Sequence, residues 1–256
     1  MKLAVVGPGL IGRSIILAAR RSQPNLDVIE VDRDQPIGRV TGADIIVLAT
    51  PVDVILDTLR IHADVLRNSV AIDTGSTKKA IVAAARQAKL DHFIGGHPMA
   101  GAATSGPSGA RADLFDRRRW FLVPHGGAPG ALKRAQVFVR ELGASPVVME
   151  DDGSEHDRLM AAVSHLPQIV ASVLMTVAGE AAGPRLDWGG NGLRDTTRLA
   201  HSRGEVWQSI LRTNASELRP LLQALADQLR AVAEDLDDAA VIRDLFAKAN
   251  HYRALL

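Results

Sequence analysis

The segment MKLAVVGPGLIG, residues 1–12, contains the strongest fold signal in the chain. Its β-branched apolar run, Leu3–Val6, predicts a short strand, and three glycines with the spacing G-x-G-x-x-G follow it where a helix begins. Gly7 permits the tight turn, Gly9 lets the main chain approach a pyrophosphate, and Gly12 lets the helix lie close to the sheet. Together the strand, loop and helix predict a dinucleotide-binding turn.

Four further residues join the predicted cofactor site. Leu10 and Ile11 open the first helix, where free N–H groups and the positive end of the helix dipole meet the phosphates. Thr50 and Pro51 follow a later strand, and their order predicts an N-cap and then a proline at the first helical position. We assign this second strand-to-helix turn to the cofactor site as well.

An acidic residue indicates which dinucleotide is bound. Asp32 ends the second predicted strand, twenty residues after Gly12, where a carboxylate accepts hydrogen bonds from the adenosine ribose hydroxyls. This residue favours NAD, since a carboxylate would repel the 2′-phosphate of NADP. Arg33 follows immediately and offers a cation for that phosphate, so NAD is the prediction and NADP the alternative.

Strand and helix patterns alternate over the first 150 residues and predict βαβ units in a parallel sheet. The predicted strands are Leu3–Val6, Val28–Val31, Ile45–Ala49, Ser69–Ile72, Phe93–Ile94, Trp120–Val123 and Pro146–Val148. The predicted helices between them include Ile11–Arg21, Val52–Ala63 and Lys78–Lys89. Beyond residue 153 the strand signals vanish and apolar residues recur at helical spacing. The sequence therefore predicts an α/β Rossmann-type domain over residues 1–150 and an all-α substrate and dimerisation domain over residues 151–256.

Composition argues against several classes of function. A formal net charge of +1 gives no broad field for nucleic acid or an anionic membrane, and the absence of cysteine excludes disulfides and thiolate chemistry. The apolar run Leu166–Ala178 is interrupted by polar residues, and we interpret it as a helix buried in protein. We expect a cytoplasmic protein that binds neither nucleic acid nor membrane.

A seam of apolar residues near the end of the chain indicates helix pairing. Its members repeat at alternating four- and three-residue steps: Leu218, Leu222, Leu225, Leu229, Val232 and Leu236. A seam with this spacing requires a partner helix, either in the same subunit or in a second copy of the chain. We predict a homodimer.

Four later segments point to a known family. They are Asp73-Thr-Gly-Ser76-Thr-Lys78, Gly95-Gly-His97-Pro-Met-Ala-Gly101 running on to Ser105-Gly106, Ser164-His165-Leu-Pro-Gln168, and Gly192-Leu-Arg-Asp195-Thr-Thr-Arg198-Leu-Ala, which Val206-Trp207 and Asn214 extend. With the glycine loop, this order resembles the prephenate/arogenate (cyclohexadienyl) dehydrogenase family over about residues 1–240. The resemblance implies a prephenate dehydrogenase, which oxidises and decarboxylates prephenate to 4-hydroxyphenylpyruvate with NAD+ in tyrosine biosynthesis. Arogenate dehydrogenase, or an enzyme of dual specificity, is the alternative.

The resemblance implies two catalytic residues. His97 would hydrogen-bond the hydroxyl at ring C4 of the substrate, and an imidazole with an ordinary pKa near ~6.5 is a usable base at neutral pH. We expect His97 on a loop after a strand, at the carboxyl edge of the sheet. Ser76 would orient this histidine and the hydroxyl. Ser76 and Thr77 directly precede the Lys78–Lys89 helix, so an N-cap of that helix is the other role open to Ser76.

Three residues are implied as substrate ligands. Arg198 would grip a carboxylate with its planar, permanently charged guanidinium, unless it pairs with Asp195 on one helix. His165 and Gln168 are three residues apart and share a helix face, and Pro167 between them predicts a kink. Gln168 can both donate and accept, so it does not distinguish a pyruvyl from an alanyl arm.

Two other classes of protein share parts of this pattern. A β-hydroxyacid dehydrogenase or imine reductase would join a Rossmann domain to a helical domain but would not need the HPMAG segment. A non-catalytic dinucleotide sensor would keep the glycine loop and lose Ser76, His97 and Arg198. The remaining histidines have no metal-ligand spacing and are interpreted as ordinary, so no metal is predicted: His62, His92, His125, His156, His201 and His251.

Overall fold

The structure, a computed structural model, describes residues 1–101 and 106–256. Ser105, part of one family segment, therefore lies outside the described residues. The strands are β1 (Lys2–Val6), β2 (Asp27–Val31), β3 (Ile45–Leu48), β4 (Val70–Asp73), β5 (Phe93–Pro98), β6 (Arg119–Pro124) and β7 (Ser145–Val148). The helices among them are α1 (Leu10–Ser22), α2 (Val52–Ile61), α3 (Ala63–Leu66), α4 (Lys79–Gln87) and α5 (Pro129–Glu141). The helices that follow are α6 (Ser154–Met160), α7 (Leu166–Ala182), α8 (Asn191–Thr196), α9 (Gly204–Thr213), α10 (Ala215–Glu234) and α11 (Ala239–Arg253).

The seven strands form one sheet in the order β2-β1-β3-β4-β5-β6-β7. Strands β1 to β5 are parallel, β6 runs antiparallel to β5, and β7 is parallel to β6. All seven predicted strands are confirmed. The predicted parallel sheet is confirmed for β1 to β5, whereas β6 and β7 at one edge run opposite to the others.

Each face of the sheet is covered by helices, and the strand alternation decides which residues meet them. Leu3 and Val5 point to the face that packs against α1 and α5, through residues such as Ile15 and Phe138. Alternate residues of the same strand, such as Ala4, point to the face covered by α2 and α4. A fully buried Ile or Phe side chain stabilises the fold by about 1.5–3 kcal/mol, so these two layers hold the sheet rigid.

The parallel part of the sheet brings the chemistry-bearing segments to one edge. Because β1 to β5 run in the same direction, the glycine loop and the residues after β2, β3 and β4 lie at the same edge of the sheet as the end of β5. The sequence predicted His97 on a loop after a strand, and this is wrong. His97 lies inside β5, where it pairs with Phe121 of β6. The strand is longer than Phe93–Ile94 because Gly95 and Gly96, which break the apolar pattern, still join the ladder.

The kink predicted at Pro167 takes the form of a π-helical turn over Ala161–His165. Helix α7 begins directly after this turn, with Pro167 in its first turn, where no donor is needed. Such turns widen the helix locally and occur often at functional sites. His165 is the last residue of the π turn and is 1% exposed.

Helix α7 is much less buried than its composition predicts. The helical stretch Ser154–Trp188 is long and apolar enough to cross a membrane by length and composition. Only 28% of its most apolar 18-residue segment is buried within the chain. Val173 and Val177 are more than half exposed. The single chain therefore does not provide the predicted burial in protein, and a single such helix is weak evidence for a membrane span.

Three local predictions at helix ends are also wrong. Helix α2 begins at Val52 with Pro51 as its N-cap, and Thr50 does not cap it. Helix α4 has Lys78 as its N-cap, so Ser76 does not cap that helix either. Arg198 is not on one helix with Asp195, because α8 ends at Thr196 and Arg198 begins a separate 3₁₀ turn, Arg198–His201.

Candidate active site

The glycine loop has the geometry that the fingerprint requires. Gly7 has a φ of +87°, and its N–H donates to the carbonyl of Val31 at 2.9 Å. A Cβ on Gly12 would overlap the carbonyl oxygen of Gly7. In contrast, no described atom lies within 4 Å of the place where a Cβ on Gly9 would stand. The loop is therefore closed on its inner side and open above Gly9.

The start of α1 fits a pyrophosphate. Gly9 is its N-cap, and no described side chain caps the helix. Leu10 and Ile11 pack their side chains partly against the core, so their main-chain N–H groups stand at the open end of the helix. Open space above Gly9 and uncapped N–H groups at a helix N-terminus together match a phosphate-binding site.

Asp32, Thr50 and Pro51 line the same edge. Asp32 is exposed, and its Oδ1 accepts the N–H of Arg33 at 2.7 Å, while both side chains stay on the surface. The Thr50 methyl carbon lies 2.7 Å from the position that a Cβ on Gly7 would occupy. The Thr50 hydroxyl is buried without a partner among the described residues, and Pro51 is exposed. The structure thus brings every predicted cofactor residue to the glycine loop or to the neighbouring strand ends.

A buried carboxylate holds the two predicted catalytic segments side by side. Asp73, at the end of β4, accepts the N–H of Gly75 at 2.7 Å and the N–H of Gly96 at 2.8 Å. Those glycines directly precede Ser76 and His97. The ammonium of Lys78 pairs with the same carboxylate, and both side chains are fully buried. One ion pair therefore sets the main-chain position of both segments.

A chain of hydrogen bonds runs from His97 into the helical part. Nδ1 of His97 lies 2.9 Å from Nε2 of His156, and Nδ1 of His156 lies 2.8 Å from Oδ1 of Asp157. The carboxylate of Asp157 also accepts the N–H groups of Lys78 at 2.6 Å and Lys79 at 3.0 Å. Asp157 thus supplies the cap of α4 that the sequence assigned to Ser76 or Thr77.

Burial keeps the histidines of the site uncharged. Burial lowers the pKa of His97 well below its ordinary value, and the neighbouring His156, Lys78 and His165 lower it further. Burial also lowers the pKa of His156, against the opposing effect of Asp157. The pKa of His165 falls to about 4, again mainly through burial. Neutral imidazoles at neutral pH are what a proton acceptor in this position requires.

His165 presents a donor to the site. Asn214 donates its side-chain N–H to Nδ1 of His165 at 3.0 Å and to the carbonyl of Asp157 at 2.7 Å. Nδ1 of His165 is then an acceptor, so the proton of the neutral ring is on Nε2. That Nε2 is buried with no partner among the described residues, and the ring of Trp207 stands edge-on at 5.9 Å. A buried unpaired donor beside His97 fits an acceptor atom of a ligand.

Gln168 is occupied by protein partners. Its amide Nε2 donates to the carbonyl of Leu199 at 2.9 Å, and its Oε1 accepts from the Ser202 hydroxyl at 3.2 Å. The residue is 6% exposed. In this conformation Gln168 ties the turn that begins at Arg198 to α7, and it does not offer a free amide to a substrate. Its predicted role as a direct ligand stays a prediction.

Arg198 and Ser76 are placed less tightly. Arg198 is exposed and forms no ion pair with any described residue, so the alternative of a bridge to Asp195 is not realised. Ser76 is partly buried, and no hydrogen bond joins its hydroxyl to His97 or to another described residue. The neighbouring Thr77 hydroxyl instead meets the hydroxyl of Thr213 on α9 at 2.9 Å.

Sequence reasoning missed His156. It was grouped with the ordinary histidines, yet it is fully buried and contacts His97 from 59 positions away. Only one local signal marks it, the pair His156-Asp157 at the opening of the helical part. That pair also occurs by chance in surface helices, so the sequence alone could not single it out.

Comparisons with known proteins agree with this geometry. A family model described as prephenate dehydrogenase, nucleotide-binding domain, matches residues 9–148, and one described as prephenate dehydrogenase, dimerization domain, matches residues 152–247. Prephenate dehydrogenase of Lactococcus lactis subsp. cremoris is 32% identical over 237 residues, which are 83% of this chain and 65% of that protein. The chain therefore spans just under two thirds of the length of that relative.

Two further relatives cover almost all of the chain. Prephenate dehydrogenase of Bacillus subtilis is 30% identical over 282 residues, with 98% of this chain and 75% of that protein covered. The crystal structure of Synechocystis arogenate dehydrogenase matches with a TM-score of 0.80 and 28% identity over 100% of both chains. The predicted family and fold class are confirmed. The chain belongs to the prephenate dehydrogenase family, a family of NAD-dependent oxidoreductases.

Proposed function

We propose that this chain is a prephenate dehydrogenase, which converts prephenate to 4-hydroxyphenylpyruvate and CO2 with reduction of NAD+, in the cytoplasm and in tyrosine biosynthesis. The observation that carries the proposal is the placement of His97. It stands near the end of β5, at the carboxyl edge of the sheet where the glycine loop also lies, its pKa is lowered, and its Nε2 is bonded to no described residue. A neutral base next to a dinucleotide site is what oxidation of a secondary alcohol requires.

The chemistry assigns one task to each group. NAD, held on the glycine loop, would accept the hydride from ring C4 of the substrate. Nε2 of His97 takes the hydroxyl proton as the C4 carbonyl character develops. The bond from C1 to its carboxylate breaks, CO2 leaves, and the electron pair completes the aromatic ring. The oxygen at C4 then takes the proton back from the His97 imidazolium, which gives the phenol of the product and restores the neutral base. Aromatisation makes the step effectively irreversible, and no metal or covalent nucleophile is needed.

The substrate ligands follow from the same placement. Arg198, permanently charged and without a described ion-pair partner, is proposed to bind a substrate carboxylate. The unpaired Nε2–H of His165 is proposed to donate to the substrate. Ser76 is proposed to contact the C4 hydroxyl rather than His97, because the histidine is already oriented by His156. We propose Gln168 as the support of the Arg198 turn.

Arogenate is the second candidate substrate. The full-length match to an arogenate dehydrogenase favours it as a specific alternative. Gln168 does not distinguish the pyruvyl arm of prephenate from the alanyl arm of arogenate, because its side chain is hydrogen-bonded to Leu199 and Ser202. An imine reductase or a non-catalytic sensor is disfavoured, since the family models cover both halves of the chain.

We propose that residues 1–150 bind the dinucleotide and that residues 151–256 complete the substrate site and form a homodimer. The apolar seam supports the dimer, because on α10 Leu218 is buried within the chain whereas Leu229 is 62% exposed. Leu236, the last member of the predicted seam, lies beyond the end of α10 and is 64% exposed. The outward residues of α7 add to this apolar surface. Exposed apolar surface of this extent needs a cover. Light scattering at micromolar concentration should give about twice the 27.3 kDa chain mass, and a monomer would contradict the proposal.

Turnover with defined substrates tests the function. Purified protein is assayed with prephenate and with arogenate, each with NAD+ and NADP+, by the absorbance of the reduced nicotinamide. We expect the highest kcat/KM with prephenate and NAD+. His97→Asn should lower kcat by about 10²- to 10⁴-fold, because it removes the general base, and should leave the Kd for NAD within about twofold. Full activity of His97→Asn would contradict the mechanism, and activity with arogenate alone would change the substrate only.

A further inference from the structure

Two side chains of the helical part extend a chain of hydrogen bonds from the proposed base. His97 belongs to β5, whereas His156 and Asp157 belong to α6. His156 is 0% exposed and Asp157 is 1% exposed, so bulk water does not compete for their hydrogen bonds. The rings of Phe121 and His97 stand edge-on to His156, at 5.5 and 5.1 Å, and hold its plane.

The direction of each hydrogen bond follows from the carboxylate end. The oxygens of Asp157 already accept two main-chain N–H groups, at the N-terminus of α4. The contact between Oδ1 and Nδ1 of His156 therefore places a proton on Nδ1, because a ring lone pair facing the carboxylate would be repelled. A neutral imidazole carries one proton, so Nε2 of His156 is an acceptor. Burial lowers the pKa of His156 and keeps this ring neutral.

The next bond is then determined as well. Since Nε2 of His156 accepts, Nδ1 of His97 must donate across the 2.9 Å contact. The neutral His97 ring then has its lone pair on Nε2, the nitrogen that no described residue contacts. The opposite arrangement would leave Nε2 protonated and unable to accept a proton from an alcohol.

We propose that His156 and Asp157 are positioning residues that select the Nδ1-protonated tautomer of His97 and stabilise the imidazolium that forms during turnover. The proposal rests on the proposed function, in which His97 is the base. The carboxylate of Asp157 accepts two main-chain N–H groups and the Nδ1–H of His156. One proton therefore moves from the substrate hydroxyl to Nε2 of His97 and is not passed on to His156 or Asp157. The other groups that face His97 are Lys78, with its partner Asp73, and His165. Asp73 balances the charge of Lys78, whereas Asp157 provides the negative charge beside His156.

Two substitutions separate tautomer selection from simple bulk. His156→Leu removes both ring nitrogens, whereas His156→Gln keeps an acceptor for His97 and a donor for Asp157. We expect His156→Leu to lower kcat by about 10²-fold or more with KM within about threefold, and His156→Gln to recover most of that loss. His125→Leu is the matched control, because it also removes a partly buried imidazole, whose Nε2 contacts the carbonyl of Leu90 at 2.9 Å.

A spectroscopic readout makes the test independent of turnover. Protein labelled with ¹⁵N in its histidines reports the tautomer of each ring, and the His97→Asn spectrum identifies the His97 signals by difference. We expect Nδ1-protonated His97 in the unsubstituted protein and in His156→Gln, and an Nε2-protonated or mixed ring in His156→Leu. Nε2-protonated His97 in the unsubstituted protein, or an unchanged kcat in His156→Leu, would overturn the proposal. Absence of turnover in the unsubstituted protein would overturn the proposed function and leave the spectrum to decide the tautomer.

Discussion

The glycine loop and the histidine cluster, defined as His97, His156, His165, Asp157 and Asn214, are built in opposite ways. The parts of the glycine loop lie between residues 7 and 32, and its key space, above Gly9, is open. The parts of the histidine cluster come from β5, α6, the π turn and the end of α9, and its polar atoms are mostly buried. The glycine loop depends only on main-chain geometry. The histidine cluster forms only when the helical part of the chain is packed correctly against the sheet.

The difference teaches where each region is vulnerable. A change in the loop acts through one turn and should alter binding of the dinucleotide first. A change in the cluster leaves a buried polar or charged group without its partner, which costs more than the lost bond itself. We therefore expect substitutions in the cluster and beneath it to lower the free energy of unfolding, and substitutions at the open glycine to leave it unchanged.

The largest expected effect is at the buried carboxylate beneath the cluster. Asp73→Asn replaces one oxygen with a donor and leaves the Lys78 ammonium buried without its counter-charge. The free energy of unfolding should fall by about 3–5 kcal/mol, measured by urea titration. Asp57→Asn is the control, because it breaks a surface pair with Arg60 at 3.6 Å and should change stability by less than about 1 kcal/mol.

A second variant sharpens this result. Asp73→Asn combined with Lys78→Met removes the uncompensated charge and should recover part of the lost stability. Equal effects of Asp73→Asn and Asp57→Asn would mean that buried charge does not hold the catalytic segments. The contrast between the loop and the cluster would then be lost.

A smaller effect is expected from pH. The pKa of His165 is about 4 in the folded chain and near 6.5 when unfolded, so the unfolded chain binds more protons between these values. Stability is therefore complete above about pH 6.5 and falls as the pH drops towards 4, by up to about 3 kcal/mol from this residue. His97 and His156, with lowered pKa values, act in the same direction. The charge of Asp157 raises the pKa of His156 and His165 and so reduces the size of the effect.

Urea titrations between pH 7.5 and 4.5 measure this dependence. His165→Gln should reduce the slope between pH 6.5 and 4.5, whereas His62→Gln, at an exposed position, should not. Carboxylates contribute to acid unfolding in all three proteins, so the difference between the variants is the informative quantity. The same slope in His165→Gln and in the unsubstituted chain would contradict a neutral buried His165.

The smallest effect separates two glycines of the loop. Gly9→Ala adds a methyl group to open space, so stability should stay within about 0.5 kcal/mol while the Kd for NAD rises about tenfold, or 1.4 kcal/mol. Gly12→Ala places its methyl group against the Gly7 carbonyl and should lower both stability and NAD affinity. Thermal unfolding and NAD titration of both variants give the four values. Equal loss of stability in the two would show that Gly9 is a structural glycine.

Much of the fold could be predicted because its signals are local. The strands of the sheet follow from β-branched runs, and the glycine loop follows from a spacing of six residues. The end of β5 could not be predicted, because Gly95 and Gly96 have no strand preference of their own. A Cβ at Gly96 would overlap the carbonyl of Asp73 and approach the Trp120 ring, so a glycine is required by neighbours that are distant in sequence.

The candidate site was predictable only in part. His97, His165 and Asn214 lie in segments that the family resemblance marks, and the structure brings them together. His156 and the capping role of Asp157 depend on contacts across 59 and 79 positions. Local capping rules favoured Ser76 or Thr77, because such rules consider only residues next to a helix.

In the proposed homodimer, the two faces of α7 would link catalysis to protein concentration. His165, just before the helix, and Gln168 point inward, while Val173 and Val177 on the outer side face solvent in a single chain. A newly synthesised subunit would expose this apolar surface to chaperones until a second copy packs against it. Once the copies separate on dilution, the helix that anchors the Arg198 turn loses its outer support. Specific activity would then decline at low enzyme concentration, in parallel with the loss of paired subunits.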